Sequence, residues 1–375
     1  MSNYIEKEAK SLLRKGRYTD SWFICKYNMN LYRGCENACV YCDGRAEKYN
    51  VDGEFGKDIS VKINALELLE KEIAKIKEKS IIALGGGVGD SYQKAENKYQ
   101  LTKRVLELIY QYDFPVHILT KSNLIVRDID ILKKINEKNG AIISFSFSSP
   151  DQKVVDVFEP GCASVEDKFR MLDDFKKAGF YTGIMLMPVI PFISDDEKSF
   201  INMLDKAKKV NVDFIVFSGM TLKTGRQKDH FYQCLSDNYP DLISKYDKIY
   251  TGDKWGSASG IYYSKINNLF HSTARNYKIP LRIPHYIYKN RVELNVEIAL
   301  ILFHIYYFLN IRGENKKAYE KAAWSLMFLK EDVVELANKN ELKKLSGVGD
   351  VIERLIKEVI ETGKSTYYEK LLYLN

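Results

Sequence analysis

Three cysteines fall within eight residues near the start of the chain, in Cys35-Glu-Asn-Ala-Cys39-Val-Tyr-Cys42. The sequence of 375 residues has six cysteines, so half of its thiols are gathered in this one segment. The spacing, C-x₃-C-x₂-C, leaves the set one ligand short of a closed four-thiolate site. A structural zinc is held by four ligands, whereas three thiolates on a tight loop suit a [4Fe–4S] cluster with one iron open to a small molecule. The competing reading is a zinc knuckle completed by Cys25 or His117.

Such a loop has to be held by regular elements, and the sequence after it alternates between strand and helix patterns. A short apolar stretch at 59–63 precedes an amphipathic helix from residue 64 to about 79. Strand patterns follow at 80–84, 116–120, 141–147, 181–187 and 213–217, with helical patterns of ten to fifteen residues between them. Strands alternating with helices imply parallel βαβ units. About six units predict a partial (β/α)₆ barrel with its site at the C-terminal ends of the strands, and a doubly wound sheet is the rival. The expected strand ends carry Gly85-Gly86-Gly87, Thr120-Lys121-Ser122, and the serines Ser144, Ser146 and Ser148 on one strand face. The glycine run lets backbone approach a ligand closely, but it is no dinucleotide fingerprint, because Asp90 stands where the third glycine would be needed.

From about residue 290 the pattern turns wholly helical, with apolar or amphipathic segments at 296–310, 316–328 and 333–339. Leu345-Ser-Gly347-Val-Gly349-Asp then separates two further helical stretches. A G-x-G turn between helices reads as a helix-hairpin-helix, whose exposed N–H groups can hold a nucleic-acid phosphate. The expected contacts are Gly347, Gly349, Lys343, Lys344 and Lys364. Residues 290–375 balance thirteen Lys+Arg against thirteen Asp+Glu, so backbone N–H groups must do most of the binding. The expected division is a catalytic region over 1–283 and a hairpin region over 290–375.

Several longer segments give the first region a family likeness. Asn30-Leu-Tyr-Arg-Gly-Cys35 with its cysteine loop, Asp90-Ser-Tyr92-Gln93, Thr120-Lys121-Ser122 to Asp130, Glu159-Pro160-Gly161 and Pro188-Val-Ile-Pro191 resemble the spore photoproduct lyase-related branch of the radical S-adenosylmethionine (SAM) superfamily. The resemblance implies that Cys35, Cys39 and Cys42 ligate a [4Fe–4S] cluster that splits SAM to a 5′-deoxyadenosyl radical. It further implies that Tyr41 flanks the adenine, that Gly85, Gly86 and Gly87 meet the SAM amino group, and that Lys121 and Ser146 contact its polar groups. An electron donor such as flavodoxin or ferredoxin follows from the same likeness. The chain departs from the branch in one respect: glycine stands where genuine spore photoproduct lyases carry a hydrogen-donor cysteine. Tyr92 and Cys162 are the candidates to replace it. The hairpin region resembles the small N-terminal DNA-binding domain of X-family DNA polymerases, without the lyase lysine of some such domains, whose matching position is Leu355.

Together these signatures predict a radical enzyme acting on a nucleic-acid base, as in lyase-type DNA repair, with the target base flipped into the barrel. Alternatives are a protein or small-molecule substrate with the helical region as adaptor, or a zinc-bearing nucleic-acid-binding protein. The net charge of +7 (57 Lys+Arg less 50 Asp+Glu) leans mildly towards polyanionic partners. The apolar run at 296–309 contains Glu297 and His304 and is too short to span a bilayer, and residues 1–18 lack the apolar core of a signal peptide. Cys25, Cys162 and Cys234 form no evident disulfide framework, which fits the cytoplasm. The aromatics of 221–283, including Phe231, Tyr232, Tyr250, Tyr262 and Tyr263, are expected to serve the core.

Overall fold

The computed structural model describes residues 2–86 and 88–373. Its strands are β1 (Asn3–Lys7), β2 (Leu13–Asp20), β3 (Cys25–Met29), β4 (Tyr32–Arg33), β5 (Asp58–Lys62), β6 (Ile82–Leu84), β7 (Val116–Thr120), β8 (Ala141–Phe147), β9 (Tyr181–Leu186) and β10 (Phe214–Phe217). Seven of them form one sheet in the order β10-β9-β8-β7-β6-β3-β2. All neighbours from β3 to β10 pair in parallel, and β2 is antiparallel at the edge. The crossovers are made by helices Ala65–Ile73, Leu101–Gln111, Ile129–Lys138, Val165–Lys177 and Glu197–Lys209. Each buries an apolar stripe at helical spacing, such as Val105, Leu106 and Ile109 on the second. Because spatial order follows chain order without reversal, the sheet has no switch point. The crossovers therefore all lie on one face, which gives a partial (β/α)₆ barrel and excludes the doubly wound rival.

One expected barrel strand is elsewhere. The apolar stretch at 59–63 is largely β5, which pairs with β1 and β4 in a separate three-stranded sheet. The first barrel strand is β3, which leads into the cysteine loop. Its alternate residues Lys26 and Asn28 give it a polar look, whereas Ile59 and Val61 of β5 are wholly buried and read as a core strand.

The helical region comprises Leu294–Ile311, Lys317–Met327, Val333–Asn338, Asp350–Thr362 and Thr366–Tyr373. The apolar run at 296–309 extends into helix Leu294–Ile311, which, contrary to the expectation from the run alone, is long and apolar enough to cross a membrane, but most of it is buried inside the fold. This helix and the segment 286–291 before it reach the N-terminal ends of the barrel strands. His304 Nε2 bonds the Ser21 carbonyl (2.9 Å), Arg291 Nε donates to the Asn139 carbonyl (2.9 Å), and Tyr286 donates to Asp213 just before β10. The helical region thus docks on the pole opposite the strand C-termini. Segment 279–283 runs beside β10, with Ile215 N donating to Pro280 O at 2.8 Å. From it the buried Arg282 guanidinium reaches between Trp22 (4.2 Å) and Tyr307 (3.4 Å), joining the two ends of the open sheet to the apolar helix.

The two hairpin glycines do different work. Gly347 has φ +88°, and a Cβ there would lie 2.5 Å from Ala322 N and 2.6 Å from Ala318 O, so only glycine lets the turn pack on helix Lys317–Met327. A Cβ on Gly349 would meet nothing within 4 Å. Gly347→Ala is therefore expected to cost about 1–3 kcal/mol of stability, whereas Gly349→Ala stays within about 0.5 kcal/mol. Urea denaturation of the two variants checks this.

Candidate active site

The cysteine loop is pinned from four sides before any ligand is considered. Glu36 N donates to Gln93 Oε1 (2.9 Å) and Ala95 N donates back to Glu36 Oε2 (2.6 Å), tying the loop to the segment after β6. Asn37 Nδ2 donates to Asp90, which also accepts from Thr120 Oγ1 and from Lys121 N, both at 2.8 Å. Val40 N donates to Phe158 O and Gly161 N to Asn37 O, and a Cβ on Gly161 would lie 2.2 Å from Glu36 O. Inside the loop, Ala38 adopts φ +50°, and the Arg45 guanidinium donates to the carbonyls of Cys39 (2.9 Å) and Ala38 (2.8 Å). Asp43 is held by Thr221 Oγ1 (2.8 Å) and Lys223 Nζ (2.6 Å). Segment 221–227 therefore clamps the far end of the loop, and Phe231 and Tyr250 pack in the apolar cluster that backs Cys39, Val40 and Tyr41.

The loop opens on a cavity of about 400 Å³ at the C-terminal ends of the strands. Cys35, Cys39, Cys42, Tyr41, Gly86, Lys121 and Ser146 all line it. Among the described residues, no three His, Cys, Asp or Glu side chains gather at the spacing of a single metal ion. The loop thiols face one cavity without converging on one point. The fourth ligands of the zinc alternative are not at hand: His117 uses both ring nitrogens on Phe23 O (2.9 Å) and Ser144 Oγ (2.8 Å), and Cys25 is not among the lining residues.

A buried charge network forms the cavity's polar wall. Glu159 has 1% exposure; it accepts from Lys121 Nζ (2.8 Å), from Lys168 Nζ (3.2 Å) and from the Tyr41 hydroxyl. Burial alone would raise this carboxyl, but the charges of Lys121 and Lys168, with the hydrogen bonds of Lys121 and Tyr41, hold it well below the usual carboxylate range. Lys121 also donates to Ser146 Oγ (2.8 Å). Desolvation would lower its ammonium, yet Glu159 and the thiols of Cys39 and Cys162 hold it above the ordinary value. Lys121 is the cation of this network that lines the cavity, where its ammonium can meet an anionic group, with the carboxylates of Asp43 and Asp90 also in the lining. A thiol-bearing loop beside a buried ammonium fits an iron–sulfur cluster with SAM next to it.

The remaining sequence candidates fall outside this wall. Gly85 is demanded by packing: it has φ +78°, and a Cβ there would lie 2.0 Å from the Leu119 carbonyl. Gly87 lies outside the described residues. Ser144 is bonded to His117 rather than facing the cavity. Tyr92 is wholly buried in the main core, and burial raises its hydroxyl well above the ordinary range. Cys162 Sγ lies 3.8 Å from Cys39 Sγ, behind the loop and not in the cavity lining. In the hairpin, Lys343 is paired with Asp350 and Glu353 and Lys344 with Glu341, while Lys364 is exposed. Sequence reasoning missed Lys168, Arg45, Lys223 and the role of Glu159. The only signal was the Glu159-Pro160-Gly161 motif, since Lys168 looks like an ordinary lysine of an amphipathic helix.

Comparison with known proteins agrees with this geometry. Residues 29–204 match the radical SAM superfamily and residues 293–365 a helix-hairpin-helix domain. The chain thus carries a radical SAM domain followed by a helix-hairpin-helix region. The domain implies SAM and an iron–sulfur cluster, and an enzyme. The uncharacterized protein Rv2578c of Mycobacterium tuberculosis is 25% identical over 230 residues, covering 60% of this chain and 67% of the relative. The uncharacterized protein MJ0683 of Methanocaldococcus jannaschii is 29% identical over 218 residues, covering 58% and 77%. Among solved structures, a spore photoproduct lyase complexed with dinucleoside spore photoproduct has a TM-score of 0.55 at 16% identity, over 73% of this chain and 79% of that one. A variant of that lyase with bound AdoMet and dinucleoside spore photoproduct gives 0.57. These structures share the fold.

Removing the carboxylate from the network would leave two buried ammonium groups facing each other. Glu159→Gln is expected to destabilise the protein by about 3–5 kcal/mol, the range for breaking a buried pair. Chemical denaturation beside the wild type measures it.

Proposed function

We propose that this protein is a radical SAM enzyme that acts on a nucleic-acid base, a DNA lesion repaired in the manner of a spore photoproduct lyase. The observation that carries this reading is the joining, in one chain, of the thiol-lined cavity and a helix-hairpin-helix. In this reading Cys35, Cys39 and Cys42 hold a [4Fe–4S] cluster. Lys121 and Ser146 hold the SAM carboxylate, Tyr41 borders the adenine and Gly86 offers backbone to the amino group. When bound, the cluster and SAM supply a 5′-deoxyadenosyl radical that takes a hydrogen atom from a substrate carbon. The chain's own part is to orient and to keep water out. Glu159 and Lys168 fix the Lys121 ammonium, and the Asp90 carboxylate fixes the backbone on which Lys121 stands. Phe23, Leu119, Met187 and Met220 give the cavity an apolar lining.

One observation favours a second reading, in which the substrate is a protein or small molecule and the helical region an adaptor. The hairpin and the cavity lie at opposite poles of the barrel, and Lys343 and Lys344 are already paired with carboxylates.

Anaerobically reconstituted protein is expected to hold about four irons and to release 5′-deoxyadenosine from SAM under dithionite. Cys39→Ala should lose both properties and Cys234→Ala should keep both; one zinc per chain without SAM cleavage rejects the assignment. Lys121→Ala should retain the cluster yet bind SAM more weakly by about 1–3 kcal/mol, as for a lost hydrogen bond to a charged group. Ultraviolet-irradiated DNA added to the same reaction distinguishes the substrate classes: restored bases support the repair reading, and intact lesions favour the second.

A further inference from the structure

Strand β2 runs along the free edge of the barrel sheet, from the pole that carries the helical region to the rim of the cavity. Its C-terminal end, Asp20, pairs with Cys25 at the start of β3. Its N-terminal end, Leu13, pairs with Met29, which stands beside Leu84 just ahead of the cavity glycine Gly86. The pairing with β3 breaks register between Lys15 and Asp20. Such a bulge re-aims side chains, and here it turns Arg17 and Tyr18 outward together, next to the exposed Arg14 and Lys15. Lys15 shares Glu78 with Lys26. Among the described residues, neither Arg14 nor Arg17 has an ion-pair partner.

At the lower end of this strand lies an aromatic cluster that the fold does not bury. Tyr18 is 41% and Phe328 47% exposed. Tyr18 meets Trp324 edge-on at 4.9 Å, Trp324 and Phe328 stack at 5.8 Å, and the Arg17 guanidinium lies 5.5 Å from the centre of the Phe328 ring. The same helix joins this cluster to the hairpin, because Ser325 Oγ donates to Ser346 O at 3.0 Å. Hairpin turn, aromatic cluster, arginine-bearing edge and cavity rim therefore follow one another over the surface.

We infer that this edge is a track for a single nucleic-acid strand, held by Tyr18 and Phe328 through its bases and by Arg14 and Arg17 through its phosphates. The inference rests on the nucleic-acid reading above and gives it a route between the two poles. Aromatic faces stack only on bases that are not already stacked in a duplex, and guanidinium groups without carboxylate partners supply the complementary charge. A paired duplex hides its base faces, so the track selects an unpaired strand.

The test uses the full-length protein and a labelled single-stranded DNA oligonucleotide, with a duplex of the same sequence alongside, followed by fluorescence anisotropy over a salt series. Tyr18→Ala with Phe328→Ala is expected to weaken single-strand binding at least about tenfold and duplex binding less, since stacked bases contribute roughly that much each. Arg14→Gln with Arg17→Gln should make the salt dependence shallower by about 1.4 in log affinity against log salt, 0.7 for each lost charge. Unchanged thermal midpoints show that the arginine pair is not structural. Should the aromatic pair lower the midpoint, the arginine pair alone decides. Wild-type affinity and slope in the deciding variants overturn the track and leave the proposed function standing. Equal losses for single strand and duplex overturn the stacking assignment. Wild-type protein that binds neither DNA removes both the track and the nucleic-acid reading.

Discussion

Glu159 is almost wholly buried, and a carboxylate there is tolerable only because Lys121, Lys168 and Tyr41 surround it. That cluster ties three parts of the chain together. Tyr41 comes from the cysteine loop, Lys121 from the end of β7, and Lys168 from the helix between β8 and β9. The loop has no regular structure of its own beyond a short 3₁₀ turn at Asp43–Arg45, so its shape depends on these anchors and on Asp90. Charge and shape are set by the same residues: the network that positions the thiols also holds the Lys121 ammonium at the cavity.

The barrel supplies the site but does not close on itself. Its open side is spanned by Trp22, Arg282 and Tyr307, drawn from the turn before β3, the segment beside β10 and the apolar helix Leu294–Ile311. This explains why that helix is apolar nearly all round. One side faces the barrel and another faces helix Lys317–Met327, so little of it is left for solvent.

The parallel barrel was legible because its buried strands read as short apolar runs separated by helices of regular length. The cysteine loop was legible because three of the six thiols fall within eight residues, and they do line one cavity. What escaped was the identity of strands and residues whose character is set by distant neighbours. β3 carries Lys26 and Asn28 and pairs with an antiparallel edge strand, whereas β5 is apolar yet belongs to another sheet. Tyr92 carries the hydroxyl expected of a hydrogen donor, but the chain around it turns its ring into the core. Lys168 sits in a helix of ordinary amphipathic pattern, and nothing local distinguishes it from a solvated lysine. Gly85 and Gly86 look alike in sequence. The first answers to the Leu119 carbonyl across the sheet and the second lines the cavity.

The Trp22–Arg282–Tyr307 stack has an energetic consequence for the whole molecule. Since the helical region and the barrel share one apolar core across this seam, separating them would expose the Leu294–Ile311 helix and strip a buried guanidinium of both its ring partners. The two regions are thus expected to melt as a single cooperative unit rather than as beads on a string. By thermodynamic linkage, a ligand that binds only the folded cavity adds RT ln(1 + [L]/Kd) to the stability of that unit. Occupancy at one pole then firms the platform of the hairpin at the other without any movement between them.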